Sequence, residues 1–322
     1  MPPEIKRLQE KIFLRFYHLY FYIMIDNFSI DSKSKNYLIL SSDIKLRYEV
    51  VVNRICEYLK ISETKILENP DIKYVSLPIV DKSGNAISSL SNTELLMREY
   101  GLIDNVDSNR IGNEITISQI RDIISFTQIS AHKTKKIVIL NGASSMNREA
   151  SSALLKTLEE VSSNCSFILL ASSSNSIHET IKSRCQVLSY EPEIYIEEDS
   201  DFHNFFLCKH PFLREIDAEF NIIDLVEDIS IAIDGLLEKR LDPIDVSNSW
   251  SKFHFNLILC VINEYIIYNC KRFIIKSSEQ SLGNNFKKLI DIYSMLPNIR
   301  KNFNLNINTK YLLNNLTIEL AT

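Results

Sequence analysis

Three short apolar runs limit what this chain can fold into: YLILS at 37–41, KIVIL at 136–140 and SFILLAS at 166–172. A strand with one face in water alternates apolar and polar residues. A run that is apolar throughout is buried on both faces, as in a parallel sheet covered by helices. The segments between these runs have helical spacing. Val51, Ile55, Tyr58 and Leu59 fall on one face, and Ile117, Ile120, Ile124 and Thr127 on another. Ala150, Ala153, Leu154, Leu158 and Val161 form a third stripe, with Asn147 placed to cap the helix and Glu149 in its first turn, where a carboxylate suits the dipole. A short helix and QVLSY (186–190) complete the set, so residues 24–190 read as an α/β domain with a parallel sheet. Residues 80–113, rich in Ser, Asn, Asp and Gly, read as a loop-rich insertion with a short helix near 93–100.

Past the acidic connector YEPEIYIEED (190–199) strand-like runs stop. Ile222, Val226, Ile229, Ile233 and Leu237 form one helical stripe; Phe286, Leu289, Ile290 and Tyr293 form another. Leu312, Leu316 and Leu320 form the last, capped by Asn308 or Thr309. The expected division is a small helical lid-like domain at 191–238 and an all-helical domain at 239–322. With 322 residues, 45% of them hydrophobic, the chain can bury cores of this number and size. Neither apolar stretch at 12–25 or 253–270 suits a bilayer. The first is too short and carries Arg15 and His18; the second is interrupted by Asn256, Asn263 and Glu264 and reads as a buried helix. Met24 opens an ordinary start, which makes residues 1–23 an extension of doubtful status that the fold does not need.

The chemistry is narrower than the fold. A phosphate-binding loop needs glycines, a lysine and a Ser/Thr hydroxyl between the first strand and the next helix. Here that place reads SSDIKLRYE, Ser41 to Glu49, without glycine or a Lys-Ser/Thr pair, and Lys45 and Arg47 read as solvated loop charges. The strand that should end in metal-binding carboxylates runs instead into Asn141 and Gly142. Hydrolysis therefore lacks two independent requirements. The histidines are scattered: His132 reads as a surface residue, and His203 and His210 are seven apart with no acidic or cysteine partner arrangement. Cysteines 56, 165, 185, 208, 260 and 270 form no CxxC pair and sit in apolar runs, which suits inert thiols in a reduced, cytoplasmic setting. Nothing calls for a metal or a cofactor. A net charge of −5 argues against bulk wrapping of DNA.

The segment KIVILNGASSMNREASSALLKTLEEVSSNCSFILLASSSNSIHETIKSRCQ (136–186) resembles the sensor region of the bacterial DNA polymerase III clamp-loader family of AAA+ proteins, above all its delta-prime type. The order runs apolar strand, Ala-Ser-Ser-Met-Asn (143–147), LLKTLEE (154–160), a second apolar strand, and TIKSRCQ (180–186). NPDIKYV (69–75), ITISQIRDI (115–123) and the last helix, 303–320, are also similar to family segments. The resemblance implies an AAA+-like α/β domain, a small helical domain and a helical collar that joins five subunits in an open ring. It implies partners: ATPase subunits, the delta subunit, the sliding clamp indirectly, and primed DNA through the complex. It also implies that Ser183-Arg184-Cys185 presents Arg184 in trans to ATP held by a neighbour, as part of a polymerase holoenzyme, without hydrolysis of its own. The zinc module of many relatives is not implied, because Cys56 stands alone in its region. Three readings stay open from sequence: Arg184 as a simple helix C-terminal cap, a divergent ATPase, and an ATPase-like adaptor outside replication.

Overall fold

The computed structural model describes Ile30 and residues 36–41, 44–132, 135–160, 164–189, 201–276, 284–304 and 307–322. The extension at 1–23, the start at Met24, the connector at 190–199 and Val161 lie outside the described residues. The chain forms two compact units. One runs to Leu96 and resumes over Ile103–Pro192; the other combines Met97–Leu102 with Glu193–Thr322.

In the first unit the apolar runs become strands β1 (Asn36–Leu40), β7 (Lys136–Asn141) and β8 (Cys165–Ala171), buried at every residue. With β2 (Ile72–Val75) and β9 (Gln186–Ser189) they make a five-stranded sheet in the order β2-β7-β8-β1-β9, parallel throughout. β2 is a strand that the apolar-run criterion misses. It lies at the sheet edge, where Lys73 and Tyr74 are only half-buried. Because successive side chains point to opposite faces, each run feeds two cores. Leu38, Leu40, Val138, Leu140, Phe167 and Leu169 face one way, onto α3 (Ile117–Gln128) and α4 (Arg148–Glu159). Tyr37, Ile39, Ile137, Ile139, Ile168 and Leu170 face the other, onto α1 (Ile44–Leu59).

Local signals place these helices. The Asn147 side chain accepts from Ala150 N–H at 2.8 Å and starts α4. Thr116 and Gln119 form a capping box at α3. On α3 the buried residues are Gln119, Ile120 and Ile123, so Ile123 replaces Ile124 as the second core residue.

Residues 80–113 are not a loop. They contribute to a four-stranded antiparallel sheet, β4-β3-β6-β5, built from β3 (Pro78–Val80), β4 (Ala86–Ser89), β5 (Asn105–Val106) and β6 (Asn109–Ile111). Helix α2 (Asn92–Glu99) falls where a short helix was expected. The turn-forming residues make hairpin turns instead of open loop. Asp81 Oδ1 accepts from the Ser83 and Asn85 N–H groups at 2.8 and 2.9 Å, with Gly84 at φ +85°. Asp107 and Ser108 both take positive φ, which a two-residue hairpin requires.

In the second unit every described element is helical: α6 (Phe202–Lys209), α7 (Pro211–Glu215), α8 (Asp217–Phe220), α9 (Ile222–Leu237), α10 (Pro243–Trp250), α11 (Phe255–Lys276), α12 (Asn284–Asn304) and α13 (Thr309–Ala321). The α9 stripe is buried as expected, and so are Leu312, Leu316 and Leu320, with Asn308 as the α13 cap. Helix α11 is the apolar stretch at 253–270, and it buries Ile258, Val261, Ile262 and Ile266. Helix α12 departs from expectation. Its buried stripe is Leu289, Ile292, Leu296 and Ile299, while Ile290 and Tyr293 are about half exposed. The apolar residues of α12 admit two overlapping stripes, and packing against α11 and α13 selects the first. Among the described residues no helix is long and apolar enough to cross a membrane.

Candidate functional site

The carboxyl ends of parallel strands are where α/β sheets hold ligands. In this sheet those ends are Ser41, after β1, and Asn141-Gly142, after β7. The first strand passes into α1 within three residues, because α1 begins at Ile44. The stretch Ser41–Glu49 is therefore mostly helix, not a loop. The connection has no glycine, the residue type that phosphate-binding loops use. Arg47 is not a solvated charge. It is 1% exposed, and its Nη1 donates to the Ser41 carbonyl at 2.8 Å. The carbonyl that ends β1 is thus bonded by a guanidinium from the first turns of α1. Lys45 remains partly exposed beside Glu49.

Asn141 is fully buried at the end of β7. Its Nδ2 donates to Tyr74 Oη at 3.2 Å and to Asn92 Oδ1 at 3.0 Å, while its Oδ1 has no partner among the described residues. Burial pushes the Tyr74 hydroxyl far above its ordinary pKa. Neutral amide and phenol groups therefore stand at the carboxyl end of β7. Gly142 follows at φ +83° with open space around its Cα, and its N–H donates to the Leu170 carbonyl.

Ser183-Arg184-Cys185 lies between α5 (Glu179–Lys182) and β9. The Arg184 side chain is 31% exposed. Its Nε donates to Glu159 Oε1 at 2.7 Å and its Nη2 to the same oxygen; its Nη1 donates to the Thr180 carbonyl at 2.8 Å and to Ser183 Oγ at 3.2 Å. The bond to Thr180 is the one expected of a helix C-terminal cap. Glu159 is the last residue of α4 and half exposed. Sequence reading did not connect it to Arg184, although both stand in the motifs that carry the resemblance. The two backbones are tied together by Asn36, whose buried amide donates to the Leu158 carbonyl at 2.8 Å and the Arg184 carbonyl at 3.0 Å. The Cys185 thiol packs on the core, and burial pushes its pKa up to about 12, so Arg184 does not activate it.

Of the histidines, His132 is exposed as expected, but His210 is not isolated. Within the second unit its Nδ1 lies 2.9 Å from Tyr100 Oη, and its Nε2 lies 3.8 Å from both Cys260 Sγ and Glu264 Oε1. Lys209 Nζ reaches Glu264 Oε2 at 2.5 Å. Burial opposes the imidazolium charge, but Cys260 and Glu264 outweigh it and hold His210 up at about 9. Cys260 and Glu264 come from α11, fifty or more residues away, which is why local sequence could not reveal them.

Comparison with known proteins bears on the first of these sites. The family described as "DNA polymerase III, delta subunit" matches residues 82–193. DNA polymerase III subunit delta′ of Haemophilus influenzae is 44% identical over 77 residues, 24% of this chain and 24% of that protein. The delta′ subunit of Pseudomonas aeruginosa is 39% identical over 72 residues, 22% of each chain. Replication factor C subunit 5 of Schizosaccharomyces pombe is 31% identical over 130 residues, 40% of this chain and 32% of that protein. The chain thus matches about a quarter to a third of the length of these relatives. The fold agrees with the expectation drawn from sequence, a parallel α/β sheet followed by helices. The family match spans β7, α4, β8 and Arg184, and over stretches of 77 and 72 residues this chain is similar to delta′ subunits of DNA polymerase III.

Proposed function

We propose that the protein is a non-hydrolysing, delta-prime-like subunit of a DNA polymerase III clamp loader. In this reading it assembles with ATPase subunits and a delta subunit, helps place a sliding clamp on primed DNA, and offers Arg184 to ATP bound by a neighbour. Residues 24–190 act as the AAA+-like domain, 191–238 as the lid-like domain and 239–322 as the collar. The reading rests on one contrast, between an arginine in the segment that resembles delta-prime and a first strand-to-helix connection that has no glycine. Arg184 stands partly exposed in the segment that resembles delta-prime, while the β1–α1 connection is short, free of glycine and bonded by Arg47. A guanidinium is a permanently charged fork suited to phosphate oxygens, and an arginine in trans can supply a large part of phosphoryl-transfer catalysis.

The test is Arg184→Ala in a complex reconstituted with its ATPase subunits. Hydrolysis at the single adjacent site should fall by about 10³–10⁵. The isolated subunit should lose little, because an exposed ion pair contributes about 0–1 kcal/mol. Arg184→Lys should not restore hydrolysis, since an ammonium cannot reproduce the planar fork. The competing cap reading has the Thr180 bond in its favour. It requires the opposite result: a lowered melting point, unchanged partner hydrolysis and rescue by lysine.

A further inference from the structure

We infer that Glu159 is a positioning residue for Arg184, holding the guanidinium by its rear edge so that the outer edge is presented to a phosphate. The inference rests on the reading of Arg184 as a finger in trans. A guanidinium has five N–H donors in one plane. In this structure Nε and one Nη2 donor go to Glu159 Oε1, which occupies one edge of the group. The two Nη1 donors go to the Thr180 carbonyl and to Ser183 Oγ. That leaves the second Nη2 donor. The Ser183 bond is the longest of the set at 3.2 Å, and its hydroxyl also donates to the Thr180 carbonyl at 3.1 Å, so it can be exchanged without leaving Ser183 unpaired. Exchange frees one Nη1 donor, in addition to the Nη2 donor that has no partner among the described residues. Together they form the two-pronged edge that grips phosphate oxygens side by side.

The pairing is built into the scaffold. Asn36 ties the Leu158 and Arg184 carbonyls through one buried amide, so the residue beside Glu159 and the backbone of Arg184 are held in fixed relation. Glu160, one residue on, makes no such contact among the described residues. A long side chain that must otherwise find its orientation is thereby ordered before any neighbour arrives, which lowers the ordering cost at assembly. An anion at the rear edge does not compete for the outer edge, so Glu159 orients without occupying the phosphate position.

The experiment measures kcat and KM for ATP in the reconstituted complex carrying wild-type protein, Glu159→Ala, Glu159→Gln, Arg184→Ala or the Glu159→Ala/Arg184→Ala double variant. Glu159→Ala should lower kcat at the adjacent site by roughly 2- to 10-fold, the cost of immobilising one rotamer-rich side chain, with KM little changed. Glu159→Gln keeps an acceptor oxygen and should recover most of the loss. In the Arg184→Ala background Glu159→Ala should cost nothing more. A fall with Arg184→Ala but none with Glu159→Ala overturns this inference and leaves the finger reading standing. So does a rise in hydrolysis, which would make Glu159 a latch that withholds the arginine, and so does an additive loss in the double variant. No fall with Arg184→Ala removes the finger reading, and this inference with it.

Discussion

Replacing Arg47 with alanine separates a buried structural arginine from a loop charge. At 1% exposure, the side chain has lost essentially all contact with water. Alanine removes two buried methylenes, about 0.8 kcal/mol each, or about 1.6 kcal/mol together. It also removes the bond from the guanidinium to the Ser41 carbonyl, and a hydrogen bond to a charged group contributes about 1.5–3 kcal/mol. Removing a buried charge returns part of its own desolvation cost, so the net should be about 2–4 kcal/mol. For a unit of this size each 1 kcal/mol lowers the melting temperature by about 2–4 °C. Arg47→Met keeps the apolar stem and deletes only the charge, and should cost less than alanine does. Urea denaturation of the two variants, with thermal melting as a second measure, gives both numbers. A change for Arg47→Ala within about 0.5 kcal/mol, as for an exposed helix residue, would refute the argument that this side chain seals the end of β1.

The Lys209–Glu264–His210 cluster makes a statement about pH. His210 is raised above its ordinary 6.5 to about 9, so its contribution is complete below pH 6.5 and lost as pH climbs toward 9. Burial disfavours the Glu264 charge, but His210 and Lys209 hold its pKa below 4.5, so its contribution is complete above 4.5 and lost as pH falls. Melting temperature should therefore be highest between about pH 4.5 and 6.5 as far as this cluster decides it, and Glu264→Gln should flatten the alkaline limb; an alkaline limb of unchanged slope in the variant would count against the assignment. Burial also predicts slow chemistry at Cys185: maleimide labelling at pH 8 should be at least ~10-fold slower in the native protein than in urea, and equal rates, read by peptide mass spectrometry, would contradict it.

The sequence by itself determined the elements whose burial is two-sided or strictly periodic. YLILS, KIVIL and SFILLAS read as interior strands, because their central residues are apolar on both faces of a strand and both faces must be covered. The α4 cap at Asn147 and the α9 stripe were equally legible, since capping and helical spacing act within a few residues. Tertiary structure decided whatever depends on residues far apart. Edge strand β2 and the short strands of the second sheet are too small to declare themselves without the partners that complete their hydrogen bonds. The choice of Leu289 and Ile292 over Ile290 and Tyr293 was made by the helices against which α12 packs. Arg47 looks identical in sequence whether it faces water or a β1 carbonyl. His210 acquires Cys260 and Glu264 from α11 only when the chain folds back. Arg184 could be picked out by its motif, but its carboxylate partner Glu159 lies 25 residues earlier, brought within reach by α4 and β8 and fixed there by the single amide of Asn36.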